Sequence, residues 1–199
     1  MKNTLLAIAI TTAGLVALPL AHAADTSGFF INGNIGQSNL SKGAYDDSDT
    51  GYAANIGYRW AVAPSVLIGV EGGYTDLGGI APKAPYAPLG NAEISGWNVG
   101  VNTHFNITDN WYLSGRAGLF RADVKAGIGG ATTLNPDGSS TFQAIRVDDS
   151  SNKWYAGAGF GYDFSNNFSV GLNYDYYKAS TRGFSVNPDL VSVSGEYRF

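Results

Sequence analysis

Few side chains in this sequence are equipped for covalent or metal chemistry. There is no Cys, so there is no thiol nucleophile and no zinc–thiolate site. Outside residues 1–23 a single His remains, His104, and no His/Cys cluster accompanies it. A metal needs several converging ligands, so His104 reads as a hydrogen-bonded filler. Ser and Thr are common, yet none has a base placed to activate it. The acidic run Asp46-Asp47-Ser48-Asp49 lacks the spacing of a calcium loop and reads as a solvated loop. No enzymatic activity, metal or cofactor is expected. What remains is a set of charges, Arg59, Glu71, Arg116, Asp163, Asp175, Glu196 and Arg198, together with His104. Their chemistry would be ion pairing, and whether they meet depends on the elements that carry them.

Those elements alternate with a period of two. Val191, Val193, Tyr197 and Phe199 fall on one face of the last segment, and Ser192, Ser194, Glu196 and Arg198 on the other. Phe168, Val170, Leu172, Tyr174 and Tyr176 alternate with Ser169, Gly171, Asn173 and Asp175. Trp97, Val99, Val101, Phe105 and Ile107 alternate with Asn98, Gly100, Asn102, His104 and Asn106. Strict alternation is strand behaviour. Runs of this kind lie near residues 28–38, 50–60, 65–76, 93–107, 111–125, 152–164, 168–179 and 190–199. Short links at 61–64, 108–110 and 165–167 alternate with long ones at 39–49, 77–92, 126–151 and 180–189. Eight antiparallel strands with short turns at one end and long loops at the other predict an all-β, eight-stranded up-and-down transmembrane β-barrel.

Composition agrees. The chain has 199 residues, 27 of them Gly, 13% aromatic and 14% charged. Disordered chains lack that aromatic content. A formal net charge of −4 gives no nucleic-acid surface. Residues 1–23 form a separate object, with Lys2, an apolar run from Leu5 to Leu20 and a small-x-small site at Ala21-His22-Ala23. This is the pattern of a secretory signal peptide cut before Ala24. Residues 24–199 are then the barrel domain.

The two faces of the strands decide between membrane and water. One face is large, apolar and aromatic; the other is small and polar, with the charges. A soluble barrel would turn the apolar face inward around a ligand. Small polar residues instead suit an interior only just wide enough for side chains. The outward aromatics gather in two belts. Trp60, Phe105, Trp111, Phe164, Phe168 and Phe199 lie by the short turns, and Tyr52, Tyr74, Trp97, Trp154 and Tyr176 lie towards the long loops. Membrane interfaces select such belts. The charges then face the lumen. Glu71 and Arg116 sit at mid-depth, Asp175 at mid-depth or higher, and Arg59, His104, Asp163, Glu196 and Arg198 near the periplasmic mouth. Unpaired buried charge is costly, so these groups must pair.

Four segments carry a family resemblance: Gly69-Val-Glu-Gly-Gly-Tyr-Thr-Asp-Leu-Gly78, Asn106-Ile-Thr-Asp109, Phe120-Arg-Ala-Asp-Val-Lys125 and Ser194-Gly-Glu-Tyr-Arg-Phe199. Together they resemble the membrane domain of the outer-membrane protein A family. The resemblance covers essentially all of residues 24–199. It implies an eight-stranded outer-membrane barrel with a polar interior and at most a narrow, gated pore. The larger members' peptidoglycan-binding domain has no counterpart after Phe199, so anchoring is not implied. It also implies that the C-terminal strand, through Tyr197 and Phe199, is the signal read by the barrel assembly machinery. Glu71 matches the family's gate glutamate, whereas the gate's basic positions are Asn102 and Gly171 here and a second acidic position is Gly161. Arg116 is therefore the expected partner of Glu71. The lost side chains leave either a water-filled lumen or one filled by interior aromatics such as Tyr155.

The expected function is structural, with at most a small gated pore. The alternative is an adhesin or recognition barrel acting through its four long loops. Loop 77–92 carries Pro82, Pro85, Tyr86 and Pro88, and loop 126–151 is the longest, but neither names a surface partner. Expected partners are outer-membrane lipid, lipopolysaccharide and the assembly machinery, with a monomeric barrel and no nucleic acid. Intact-mass measurement of the outer-membrane protein should give a chain beginning at Ala24; a mass that includes residues 1–23 would sink the leader assignment.

Overall fold

The computed structural model describes residues 27–42, 45–80, 92–134, 140–181 and 184–199. The expected leader, residues 1–23, and the proline-bearing stretch 81–91 lie outside the described residues. Ten strands follow in chain order: β1 Gly28–Lys42, β2 Tyr45–Ala63, β3 Val66–Ile80, β4 Ala92–Asn106, β5 Trp111–Leu134, β6 Ser140–Asp163, β7 Phe168–Tyr177, β8 Ala179–Thr181, β9 Phe184–Val186 and β10 Asp189–Arg198. Eight of them close into an all-antiparallel barrel in the order β1-β10-β7-β6-β5-β4-β3-β2, while β8 and β9 make a small separate hairpin. Closure is what a sheet in lipid requires, because hydrocarbon offers no partner to a free edge amide. The seam runs from Phe30 opposite Arg198 to Asn39 opposite Asp189. It ends with the Phe199 amide donating to the Phe29 carbonyl at 2.9 Å.

Two short turns use the same local chemistry. The Thr108 hydroxyl accepts from the Trp111 amide at 3.0 Å, and the Ser165 hydroxyl accepts from the Phe168 amide at 3.1 Å. A short hydroxyl side chain folded onto the backbone replaces ladder bonds that end at the turn. The turn at β2–β3 differs: a register shift separates Ala61 from Ala63.

The alternation predicted from sequence holds on every wall. Ile56, Val99, Val101, Leu119 and Leu172 are exposed on the outside, in the lipid zone. Trp60, Phe105, Trp111, Phe164, Phe168 and Phe199 ring one end, and Tyr52, Tyr74, Trp97 and Trp154 the other. Two expected loops are corrected. Most of 39–49 continues the β1–β2 ladder as far as Lys42 opposite Tyr45. Most of 126–151 continues the β5–β6 ladder to Leu134 opposite Ser140. Beyond the membrane both faces of a hairpin meet water. The apolar alternation therefore stops while the backbone ladder runs on, and hydrophobic period is silent there. At 24 residues each, β5 and β6 are roughly 80 Å long at the usual rise of a strand.

Because the outer wall is lipid-facing, the cost of a charge there depends on depth. Leu172→Arg, mid-strand and 61% exposed, is expected to lower stability by about 2–4 kcal/mol, and Ile107→Arg at a short turn by about 0–1 kcal/mol. Reversible unfolding in lipid vesicles measures both, and the opposite order would contradict the placement of the wall.

Candidate functional site: the filled lumen

The interior is narrow, and several large lumenal side chains lie against strands that carry glycine. One row runs across four strands: Glu71 on β3 is opposite Gly100 on β4, Gly100 is opposite Gly118 on β5, and Gly118 is opposite Tyr155 on β6. The Tyr155 ring lies over both glycines. A Cβ added at Gly118 would stand 2.8 Å from its Cε1, and one at Gly100 2.6 Å from its hydroxyl oxygen. That hydroxyl reaches the far strand and donates to Glu71 Oε1 at 2.8 Å. A second row repeats the device. Tyr112 on β5 lies over Gly161 on β6 and Gly171 on β7, where added Cβ atoms would meet its ring at 2.4 Å and its hydroxyl oxygen at 2.7 Å. Gly161 and Gly171, which looked like lost charges, are the seats of a tyrosine. Of the two readings of the emptied lumen, the aromatic filling is the one observed.

The charges pair, in an arrangement that corrects one expectation. Arg116 does not meet Glu71; it grips Asp175 through two guanidinium nitrogens, with Nε 2.5 Å from Oδ1 and Nη2 on Oδ2. The cause is again a glycine. Arg116 on β5 and Asp175 on β7 both stand opposite Gly157 on β6, and a Cβ there would come within 1.9 Å of Asp175 Oδ1. Glu71 is held by neutral donors, the Tyr155 hydroxyl and Asn102 Nδ2 at 3.1 Å. Asn102 also accepts from Arg59 Nε at 2.6 Å, which makes it a bridge between Arg59 and Glu71.

Nearer the short turns the network is denser, as the sequence placed it. Arg59 takes Glu196 bidentately, with Nη2 3.0 Å from Oε2 and Nη1 on Oε1. Its guanidinium lies 4.0 Å from the centre of the Phe30 ring. Planar two-point pairing and an aromatic face both suit arginine. Arg198 reaches Glu196 at 3.6 Å. His104 Nε2 is 3.1 Å from Asp163 Oδ2, the Ser169 hydroxyl donates to Asp163 Oδ1 at 2.5 Å, and the His104 ring stacks on Tyr112 at 4.1 Å. His104 is therefore a filler with one ring nitrogen and one ring face in use, and among the described residues no group of His, Cys, Asp and Glu is arranged to hold a metal. Asp49, from the acidic run, lies beyond the lumen and accepts from the Gly79 amide at 2.7 Å.

Towards the long loops the lumen turns apolar. Leu77, Ile94, Phe120, Ala122, Tyr155, Tyr177 and Leu190 form one buried cluster. Tyr177 meets Phe120 edge-on at 4.9 Å and stacks on Tyr155 at 5.8 Å. Among the charges, a polar cavity of about 40 Å³ is lined by Asn32, Arg59, Glu71, Arg116, Asn173 and Glu196 among others. That is room for roughly three waters. Phe30, Tyr112, Phe120 and Tyr177 were not picked out from the sequence, although each shares the parity of its strand's polar face.

A closed antiparallel barrel, apolar outside and filled inside by paired charges and seated aromatics, defines a small transmembrane barrel of the outer-membrane kind. The chain belongs to the family described as the outer membrane protein beta-barrel domain, which matches residues 8–199. It is a protein of the outer membrane. Its fold is similar to the crystal structure of Ail, the attachment invasion locus protein of Yersinia pestis, at 17% identity, covering 87% of this chain and 97% of that one with a TM-score of 0.55. A second Ail structure, in complex with the heparin analogue sucrose octasulfate, aligns at 18% identity over 87% of this chain and 99% of that one, with a TM-score of 0.54. Neisserial surface protein A aligns at 16% identity over 87% and 99% of the two chains, with a TM-score of 0.53. Comparison with curated proteins gives no match.

Breaking a buried pair strands its partner. Asp175→Asn is expected to cost about 3–5 kcal/mol through the uncompensated Arg116. A double-mutant cycle in vesicles should find strong coupling for Arg116 with Asp175 and near-additivity for Arg116 with Glu71; the reverse would overturn the pairing.

Proposed function

We propose that this chain is a structural, non-conducting barrel of the outer membrane that carries out no catalysis. The observation that supports this reading is the apolar layer of Phe120, Tyr155 and Tyr177 across the loop end of a lumen whose arginines already hold acidic partners. Ions crossing such a layer would lose their hydration with nothing to replace it. The charges lie on the periplasmic side of that layer, so rearranging an ion pair leaves the layer in place. The short turns then face the periplasm and the long hairpins the exterior. Outer-membrane lipid and lipopolysaccharide surround a single barrel, and the assembly machinery reads the last strand through Tyr197 and Phe199, whose rings pack edge-on at 5.0 Å on the outer wall. The signal peptide delivers the chain and is removed before Ala24.

A second reading is favoured by one feature, the length of β5 and β6. A spanning strand needs about 9–11 residues, and these have 24 each. Their excess projects a long hairpin from a rigid base, the form a surface-recognition element takes. Ail, solved with a heparin analogue, is a barrel of this fold with a ligand of that kind. Loss of cell binding on trimming the hairpin would support recognition; unchanged binding would oppose it.

Planar-bilayer recording tests the first reading. Wild-type protein is expected to give no channel steps, and Phe120→Ala with Tyr177→Ala should produce them. Glu71→Gln alone should not. Steady conductance of the wild type, or steps from Glu71→Gln, would sink the proposal and return the seal to the charges.

A further inference from the structure

Two cations stand on the outer wall at the level of the upper aromatic belt. Arg121 on β5 is exposed and shares the parity of Leu119, opposite to the buried Phe120 and Ala122. Its cross-strand neighbours are Trp97 on β4 and Asn152 on β6. Lys178 follows Tyr177, whose ring fills the lumen, and its amide donates to the Trp154 carbonyl at 3.1 Å, so the ladder continues and Lys178 takes the outward parity. Trp154, 47% exposed, lies in the row between Leu119 and Lys178, with Arg121 on its other diagonal. Strand spacing and rise put the two cations roughly 12 Å apart at their Cα atoms. Among the described residues neither forms an ion pair. The outward acids nearest to them are Asp123, two residues along β5 on the face of Arg121, and Asp189, opposite Tyr176 on the strand beside Lys178, and neither forms an ion pair with them; Asp76 on β3 and Glu93 on β4 are exposed further round the rim.

A cation on a lipid-facing wall is tolerated only where its head reaches the interface, and tryptophan marks that depth. At that depth the anions on offer, besides the unpaired carboxylates of Asp123 and Asp189, are lipid phosphates. A guanidinium fork matches phosphate oxygens in two-point fashion, an ammonium serves as a point charge, and the indole between them offers a flat apolar face. Two separated cations suit a headgroup with two separated phosphates better than one with a single phosphate.

We propose that Arg121 and Lys178, flanking Trp154, bind the headgroup of a bisphosphorylated outer-leaflet glycolipid of the lipid A type. The site deepens the functional reading above and rests on its assignment of the long loops to the exterior. Surface attraction of this kind amounts to about fivefold in affinity per cation.

The test reconstitutes the full-length barrel in phosphatidylcholine vesicles containing bisphosphorylated lipid A, monophosphorylated lipid A or phosphatidylglycerol, each carrying a nitroxide that quenches nearby tryptophan. Bisphosphorylated lipid A should quench most strongly. Arg121→Ser and Lys178→Ser should each weaken that preference about fivefold, with heat-modifiable gel mobility showing that the barrels remain folded. Asp76→Asn, on the acidic side of the rim, should leave it unchanged. Equal preference for phosphatidylglycerol, or an unchanged preference in the double variant, would overturn the site. So would competition for the same residues by soluble sucrose octasulfate with no preference among the lipids, which would make the patch a receptor for soluble polyanions. Labelling at Ser140 from outside intact cells judges orientation separately: a label that reacts only from the periplasm would refute the outward reading of the loops, whatever the vesicles give.

Discussion

The width of an eight-stranded barrel governs this molecule. Eight strands enclose too little space for a full side chain at every inward position. The chain meets that limit by leaving whole rows nearly bare and laying one long side chain across them. Tyr155 covers Gly118 and Gly100, Tyr112 covers Gly161 and Gly171, and Asp175 leans over Gly157 towards Arg116. The glycines are thus the complement of the aromatics. They let a residue on one strand bond a residue two or three strands away, as the Tyr155 hydroxyl does with Glu71. A methyl group at Gly157 or Gly161 would compete for space with Asp175 or Tyr112, and would disturb a pair to which it does not itself belong.

Lipid imposes the complementary rule on the outside. Closure satisfies the backbone, so the outer side chains need only be apolar in the middle and aromatic at the ends. This wall carries little specific information beyond depth, whereas the interior carries nearly all the polar specificity. Arg121 and Lys178 stand out against that background because they are charged where the wall is otherwise indifferent.

The different origins of the two faces explain what could be read in advance. Parity is a local property of each strand, so the barrel, its strand number, its turns, the lipid face and the lumenal placement of Arg59, Glu71, Arg116, Asp163, Asp175, Glu196 and Arg198 were all legible. Pairing is not local. Glu71 and Arg116 share a depth, and depth alone suggested that they meet. Contact depends on what stands on the strands between them, and that depends on register. Gly157 directs Arg116 to Asp175, while Gly100 and Gly118 open the way from Glu71 to Tyr155. The extended hairpins escaped for another reason. Residues 39–49 and 126–151 show no sustained apolar alternation in the sequence, so the period had nothing to report there.

The same geometry keeps two jobs apart, the pairing of buried charge and the sealing of the lumen. The ion pairs at Arg59–Glu196 and Arg116–Asp175 satisfy groups that would otherwise be buried unpaired, and they fix the strands around them. The layer of Leu77, Ile94, Phe120, Tyr177 and Leu190 lies nearer the long loops and contains no charge. An ion that displaced one salt bridge would still face hydrocarbon and aromatic edges. Glu71 illustrates the separation. Its two hydrogen-bond donors are neutral, Tyr155 and Asn102, so its carboxylate is tied at once to the apolar layer through a tyrosine and to the charged layer through an asparagine. A change at Glu71 therefore reaches the seal only by moving a ring that two glycines already hold in place.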